Sequence, residues 1–341
     1  MKIALVAPES TPVPPKTYGG IEWVVYCLGK GLEVLGEDVT VVCRDTSTYE
    51  GKTIISDIWT PNENKILNYL DHMGDLAEFD VVHDHMTGAT GKTGKVDPGK
   101  VLTTLHWNHS GLSADFFNIN AISYSQRQWV LNEWKSNFLM TEGNGKIVDC
   151  PVVYHGLIPD IFKLNNNKDY ILFLSRISSS KGVDIALDIA KRMPEEKFIF
   201  AGQVSDFTGA VEKASQKYEN VVFLGEVSQD KKFELFANAK AFLFPTGGYE
   251  QIWQEPFGIV QLEANMSGLP ILAYPNGETP YIVEEGINGW LCKTVDEFIN
   301  KIKSIESDFP SKQKIRDYAS TRFSHVTMAE NYLNLYNKLM E

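Results

Sequence analysis

A chain of 341 residues with 43% hydrophobic content exceeds one ordinary core and predicts two soluble globular domains. Its net charge of −12 excludes nonspecific nucleic-acid binding, which needs clustered Lys and Arg, so any bound phosphate must meet a local exception. No apolar run of about eighteen residues exists, and the start, Met1 to Glu9, is too short and too soon acidic for a signal peptide.

Strand-like apolar runs alternate with helical patterns, which predicts parallel sheets covered by helices on both faces. In the first half the strands fall near 2–7, 38–43, 80–83, 100–106 and 121–124, with helices near 21–35 and 126–138 and short apolar runs at 146–148 and 152–154. Residues 156–168, with Gly156, Pro159 and an Asn run, have the composition of a linker. The pattern then restarts with strands near 170–174, 198–201, 221–224, 241–244 and 270–273. The expected fold is therefore α/β, two doubly wound Rossmann-like domains facing across a cleft, residues 1–157 and 158–323. A last helix near 327–340, within a segment 324–341, is expected to cross back to the first domain. Cys27, Cys43, Cys150 and Cys292 are scattered without a C-x-x-C pair, which argues against disulfides and zinc. A cytoplasmic protein is expected.

In open α/β sheets ligands bind outside the carboxyl ends of the strands, so residues just after each strand carry most weight. After the first strand, Gly19 and Gly20 precede a helix, an arrangement that lets backbone N–H groups approach a phosphate, with Glu22 close behind. There is no G-x-G-x-x-G and no Walker lysine. In the second half, Arg176 ends a strand and Lys181 opens the next helix, two cations able to converge on a diphosphate. Two solvated surface cations are the plainer alternative.

The run from Glu255 through Pro256, Phe257, Gly258 and Ile259 to Glu263 reads as a loop entering a helix, with Pro256 at the first helical position. Eight residues of helix separate two carboxylates by roughly 12 Å, too far for one glycosidic bond and suited to opposite ends of an elongated ligand. The amides of Phe257, Gly258 and Ile259 lie at the helix start. His83 and His85 share one face and His106 ends the next strand, yet no ligand set for a metal accompanies them. His106 suits a hydrogen bond to a sugar hydroxyl, whereas His72, His85, His109, His155 and His325 read as satisfied, half-buried side chains. Trp107, Tyr249 and Trp253 are aromatic candidates for a sugar pocket, although such residues are more often core.

These elements in this order resemble the retaining glycosyltransferases of the GT-B architecture, specifically glycosyltransferase family 4, over nearly the whole chain. The resemblance is carried by residues 18–22, the strand ending at His106, the strand ending at Arg176 with Lys181-Gly-Val after it, and Glu255-Pro-Phe-Gly-Ile through Glu263-Ala. It implies that Arg176 and Lys181 hold a donor diphosphate, with Gly20 facing it from the first domain, and that Glu263 accepts hydrogen bonds from the ribose hydroxyls. It also implies that Glu255 and the amides of Phe257, Gly258 and Ile259 contact the transferred sugar. His106 is placed near the reacting carbon and Val227 beside the base. The chain departs from the pattern at His155-Gly156, where Asn-Gly is familiar, and at Tyr281, where an acid is usual.

The implied activity is transfer of a sugar from a nucleoside diphosphate donor to a hydroxyl acceptor, with retention of configuration and no metal. The nucleotide-sugar is a substrate and the nucleoside diphosphate a product, so no cofactor is expected. The acceptor, whether glycan, small molecule or lipid-linked, is unread, and the few cations of the helix near 126–138 argue against membrane association. Rival readings are a nucleotide-sugar epimerase of the same fold and a catalytically silent sugar-nucleotide binder.

Overall fold

The computed structural model describes residues 1–56, 76–86, 96–108, 118–137, 150–164, 169–249, 253–308 and 311–341. The chain divides into two compact units, one of residues 1–156 with 325–341, the other of residues 157–324. Each holds a six-stranded sheet, and every registered strand pair is parallel.

In the first unit the strands are β1 (Lys2–Val6), β2 (Asp38–Arg44), β3 (Lys52–Ser56), β4 (Val81–Asp84), β5 (Val101–Leu105) and β6 (Ile119–Ala121). Their spatial order is β3-β2-β1-β4-β5-β6. Helix α1 (Gly20–Val34) follows β1 and α2 (Tyr124–Asn137) follows β6. β3 carries no apolar run, since Ile54 is half-buried and Ile55 exposed at the sheet edge, which is why the sequence pattern passes over it. β6 ends earlier than expected because Ser123 caps α2, its Oγ accepting Gln126 N–H at 3.0 Å. The apolar run at 152–154 adds only a bridge between Val152 and Ala121, and residues 146–148 lie outside the described residues.

The second unit contains β7 (Ile171–Leu174), β8 (Phe198–Ala201), β9 (Val221–Gly225), β10 (Ala241–Phe244), β11 (Ile271–Ala273) and β12 (Gly289–Leu291), ordered β12-β11-β10-β7-β8-β9. Between and after them run α3 (Val183–Arg192), α4 (Thr208–Lys217), α5 (Gln229–Asn238), α6 (Ile259–Met266), α7 (Thr279–Ile282), α8 (Val295–Asp308) and α9 (Lys312–Phe323). Counted from its own first strand, this unit repeats the order of the first. Alternating side chains leave opposite faces of each strand. Ile171, Phe173, Phe198, Phe200 and Leu243 meet Ile185, Ile189 and Phe298 on one side. Leu172, Leu174, Phe242, Phe244 and Ile271 meet Leu235, Phe236 and Ala264 on the other. Burial on both faces is what makes β7 and β10 continuous apolar runs.

One expectation, the linker, is corrected. The described part of the supposed linker is packed: Phe162 is buried against Phe233 with ring centroids 5.1 Å apart, Leu157 N–H donates to Phe323 O at 2.9 Å, and Arg316 contacts Pro159 O and Asp160. Residues 165–168 lie outside the described residues. The last helix, α10 (His325–Met340), belongs to the first unit, where Gly31 of α1 comes so close that a Cβ there would lie 2.3 Å from His325 O.

All four cysteines are free and buried. Among the described residues no helix is long and apolar enough to cross a membrane.

Candidate functional site

In the second unit, β7 and β10 lie side by side while the chain leaves them toward opposite edges of the sheet, the topological switch point of an open α/β fold. The segments that follow, 175–182 and 245–248, interlock: Gly247 N–H donates to Ser180 O at 2.9 Å. Gly182 has φ 74°, and a Cβ on it would lie 1.8 Å from Pro245 O, so no other residue fits where α3 begins. No side chain caps α3.

Two cations sit on this edge. Arg176 is exposed, and its side chain makes no hydrogen bond or ion pair among the described residues. Lys181, largely buried, ion-pairs with Glu255 Oε2 and lies 5.5 Å from the Trp253 ring centroid. Glu255 is itself fixed through its backbone: its N–H donates to Asn276 Oδ1 at 2.9 Å and its carbonyl accepts Glu278 N–H at 3.2 Å. The Asn276 amide also donates to Trp253 O at 2.9 Å, so one side chain ties the loop at two points. Gly277, φ 53°, passes so close that a Cβ would lie 2.1 Å from Glu255 O.

The helix after Glu255 starts later than the sequence suggests. Pro256 is not its first residue; Gly258, at φ 73° and ψ 66°, is the N-cap and Ile259 the first helical position. Glu255 thus belongs to the preceding loop, and the roughly 12 Å spacing computed for a continuous helix does not apply. Gly258 and Ile259 N–H groups have no acceptor among the described residues, and no side chain caps this helix either. Phe257 is buried and its carbonyl accepts Gln261 Nε2 at 2.9 Å, leaving Gln261 Oε1 shielded and unpartnered. Thr246 Oγ1, directly beyond β10, is likewise shielded and unpartnered.

Further along α6, Glu263 is only 3% exposed, and its Oε1 accepts Lys232 Nζ of α5 at 2.5 Å. Val227 is half-buried against the cluster that also carries Val260. The structure therefore brings Lys181, Glu255, Gly258 and Gly277 together and sets Glu263 on the same helix as Ile259. Sequence reasoning missed Asn276 and Lys232. Asn276 stood in a loop noted only for its neighbours, and a single Lys on an amphipathic helix gives no signal apart from a solvated face.

In the first unit, Glu22 of α1 is buried, and burial pushes its carboxyl up to about 6 despite a 3.4 Å contact from Ser10 Oγ. Gly19 precedes α1, and a Cβ on it would meet Pro15 Cβ at 2.6 Å and Glu22 Oε2 at 3.1 Å. Gly20 opens the helix. His106, half-exposed after β5, is one of a row of four histidines: His83 and His85 have ring centroids 4.0 Å apart, His85 and His106 5.2 Å, His106 and His155 5.3 Å. His85 Nδ1 and His106 Nε2 are 3.0 Å apart, while His83 is held by Tyr336 OH at 2.7 Å and Thr104 Oγ1 at 2.6 Å.

Burial holds His83 and His155 down to about 3 and His85 well below its ordinary value, so these three are neutral near pH 7. This corrects the expectation of half-buried, satisfied side chains, because His85 and His155 are fully buried and His85 Nε2 lacks a partner. His72, His109 and the end of the helix near 138 lie outside the described residues. Trp107, Tyr249 and Trp253 are all partly exposed, and Tyr249 OH donates to Asp188 at 3.1 Å.

Comparison with known proteins adds three findings. Residues 157–322 match the family model described as "Glycosyl transferases group 1". An uncharacterized glycosyltransferase of Methanocaldococcus jannaschii is 24% identical, with the alignment covering 100% of this chain and 99% of the relative. With two other curated relatives, 28% and 26% identical, the chain aligns over 51% of its length and spans about half of theirs. Among solved structures, AviGT4, a glycosyltransferase involved in avilamycin A biosynthesis, superposes with TM-score 0.78 at 25% identity, covering 100% of this chain and 98% of that one. Anabaena HepE, solved in complex with UDP and glucose, superposes with TM-score 0.74 at 18% identity, covering 99% and 100%.

Proposed function

We propose that this chain, which carries the GT-B fold and matches the group 1 glycosyltransferase family model over residues 157–322, is an enzyme that moves a hexose-like sugar from a nucleoside diphosphate donor to a hydroxyl acceptor. The observation that carries the reading is the uncommitted Arg176 guanidinium at the end of β7, on the same sheet edge as Lys181 and two uncapped helix starts. In a protein of net charge −12, such a set favours an anion. That HepE was solved with UDP and glucose supports a nucleotide-sugar as the donor.

Cleavage of the donor leaves negative charge on the diphosphate. Arg176 and Lys181 stabilise that charge more as it grows, which lowers the barrier without need of a metal. Glu255, fixed by Asn276 and Gly277, orients the sugar hydroxyls, and the Gly258 and Ile259 amides meet its oxygens. Glu263 accepts from the ribose, and Val227 lies by the base. The family resemblance supports attack by the acceptor on the face from which the diphosphate departs, hence retention, with a diphosphate oxygen taking the acceptor proton. The first unit serves the acceptor.

The test is a thermal-shift screen with UDP, GDP, ADP and dTDP, followed by nucleotide release from the matching sugar donors. Stabilisation by one base, with acceptor-dependent release, is expected; stabilisation by none refutes the reading.

A further inference from the structure

Lys232 and Glu263 form an ion pair whose side chains are 16% and 3% exposed. A carboxylate so buried must be compensated, and Lys232 compensates it from a different helix. The pairing is one-sided: Oε1 takes Lys232 Nζ at 2.5 Å, while the other oxygen has no donor among the described residues. One turn before Lys232 on the same face of α5 stands Gln229, whose Oε1 and Nε2 are both shielded from solvent and both without a partner. A shielded amide with nothing to bond is rare in a folded protein, and it marks a place where something else completes the pairing.

We infer that the face of α5 bearing Gln229 and Lys232 is the nucleoside end of the donor site. Lys232 is a positioning residue that fixes Glu263 with one oxygen offered to the ribose diol, and Gln229 supplies the amide that pairs with the base. This rests on Glu263 being the ribose ligand of the proposed donor site. The chemistry sets the ligand class. An ionised carboxylate accepts and cannot donate, so it demands hydroxyl hydrogens and rejects a 2′-deoxyribose, which leaves the acceptor unpaired. By holding the carboxylate in one place, Lys232 makes that demand strict. The amide offers one donor group and one acceptor side by side, matching any base edge that presents the complementary pair.

The experiment is calorimetric titration of the full chain with UDP, GDP and ADP and with their 2′-deoxy counterparts. Wild type is expected to prefer the ribonucleotide of its base about tenfold or more, the scale of one hydrogen bond to a charged group. Lys232→Met brings the ribose-to-deoxyribose ratio close to one, while Gln229→Leu flattens the ranking of bases and leaves that ratio standing.

Lys232→Met with Glu263→Gln removes both charges; it regains the thermal stability lost in Lys232→Met but not the ribose preference, an outcome that a purely structural ion pair does not produce. Should Lys232→Met fail to fold, the double variant reads the same ratio. Retention of the ribose preference in these Lys232 variants, or an unchanged base ranking in Gln229→Leu, overturns the inference alone. Binding of none of the nucleotides by wild type overturns the donor reading as well.

Discussion

Glu255→Gln separates binding from turnover. In the structure Lys181 is paired with Glu255, and the two side chains are 15% and 10% exposed. A diphosphate must therefore compete with a carboxylate for the lysine and must also sit beside that negative charge. A hydrogen bond between charged groups at this burial is worth about 1.5–3 kcal/mol net, and each 1.4 kcal/mol is about tenfold. Replacing the carboxylate with its isosteric amide thus tightens nucleoside diphosphate binding by roughly 10–100-fold. The same substitution removes the ionised acceptor for the sugar hydroxyls, so turnover of the full donor falls about 10²-fold or more. Folding loses the pair too, and melting falls by about 2–4 °C per kcal/mol for a unit of this size. Calorimetry with the nucleoside diphosphate and initial rates with the matching sugar donor read the two effects. Weaker nucleotide binding in Glu255→Gln would refute the reasoning, since it would mean that the pair acts jointly on the diphosphate.

Arg176→Gln lowers nucleoside diphosphate affinity about 10–100-fold and leaves the melting temperature where it was, because the exposed guanidinium has no partner to lose; calorimetry and calorimetric melting check both. Gly277→Ala forces a Cβ against Glu255 O at a φ of 53°. It destabilises the second unit by about 1–3 kcal/mol and raises the donor KM, which a melting curve and initial rates detect. Acid opens the first unit before the second, because all seven histidines lie in the first. His83 and His155 are held to about 3, below the ordinary value, so their stabilising contribution is complete above about 6.5 and is lost as pH falls toward 3. Each histidine costs about 1.4 kcal/mol per pH unit in that window. Glu22, raised to about 6, acts with the opposite sign, losing stability as pH rises from about 4.5 to 6, and offsets only part of this. Peptide-resolved hydrogen exchange at pH 7, 5 and 4 distinguishes the units, and earlier opening of the second contradicts the argument.

The sequence reveals what repeats. Continuous apolar runs such as Ile171–Leu174 and Ala241–Phe244 announce strands buried on both faces, and their alternation with helices announces parallel sheets. Edge strands escape because they lack that signal: Lys52–Ser56 is half-exposed and Gly289–Leu291 has only three residues. Glu255, Lys181 and Glu263 could be named from strand-end position and family pattern, yet their partners could not. The Lys181–Glu255 pair spans 74 positions and the Lys232–Glu263 pair 31, and nothing local links them. The helix start was misplaced because Pro256 carries a strong N-terminal preference, which the left-handed Gly258 overrides two residues later. The histidine row was half legible: β-strand alternation pairs His83 with His85, but bringing His106 and His155 beside them requires the neighbouring strand and the segment after residue 150.

The central claim is that the switch-point edge of the second unit grips a diphosphate. Hydrogen exchange of the full chain, with and without saturating nucleoside diphosphate of the preferred base, tests it most directly. The account predicts slowed exchange in the segments 176–185, 246–248 and 258–262, which include the uncapped starts of α3 and α6. Protection absent from all three, with the nucleotide demonstrably bound, would contradict it.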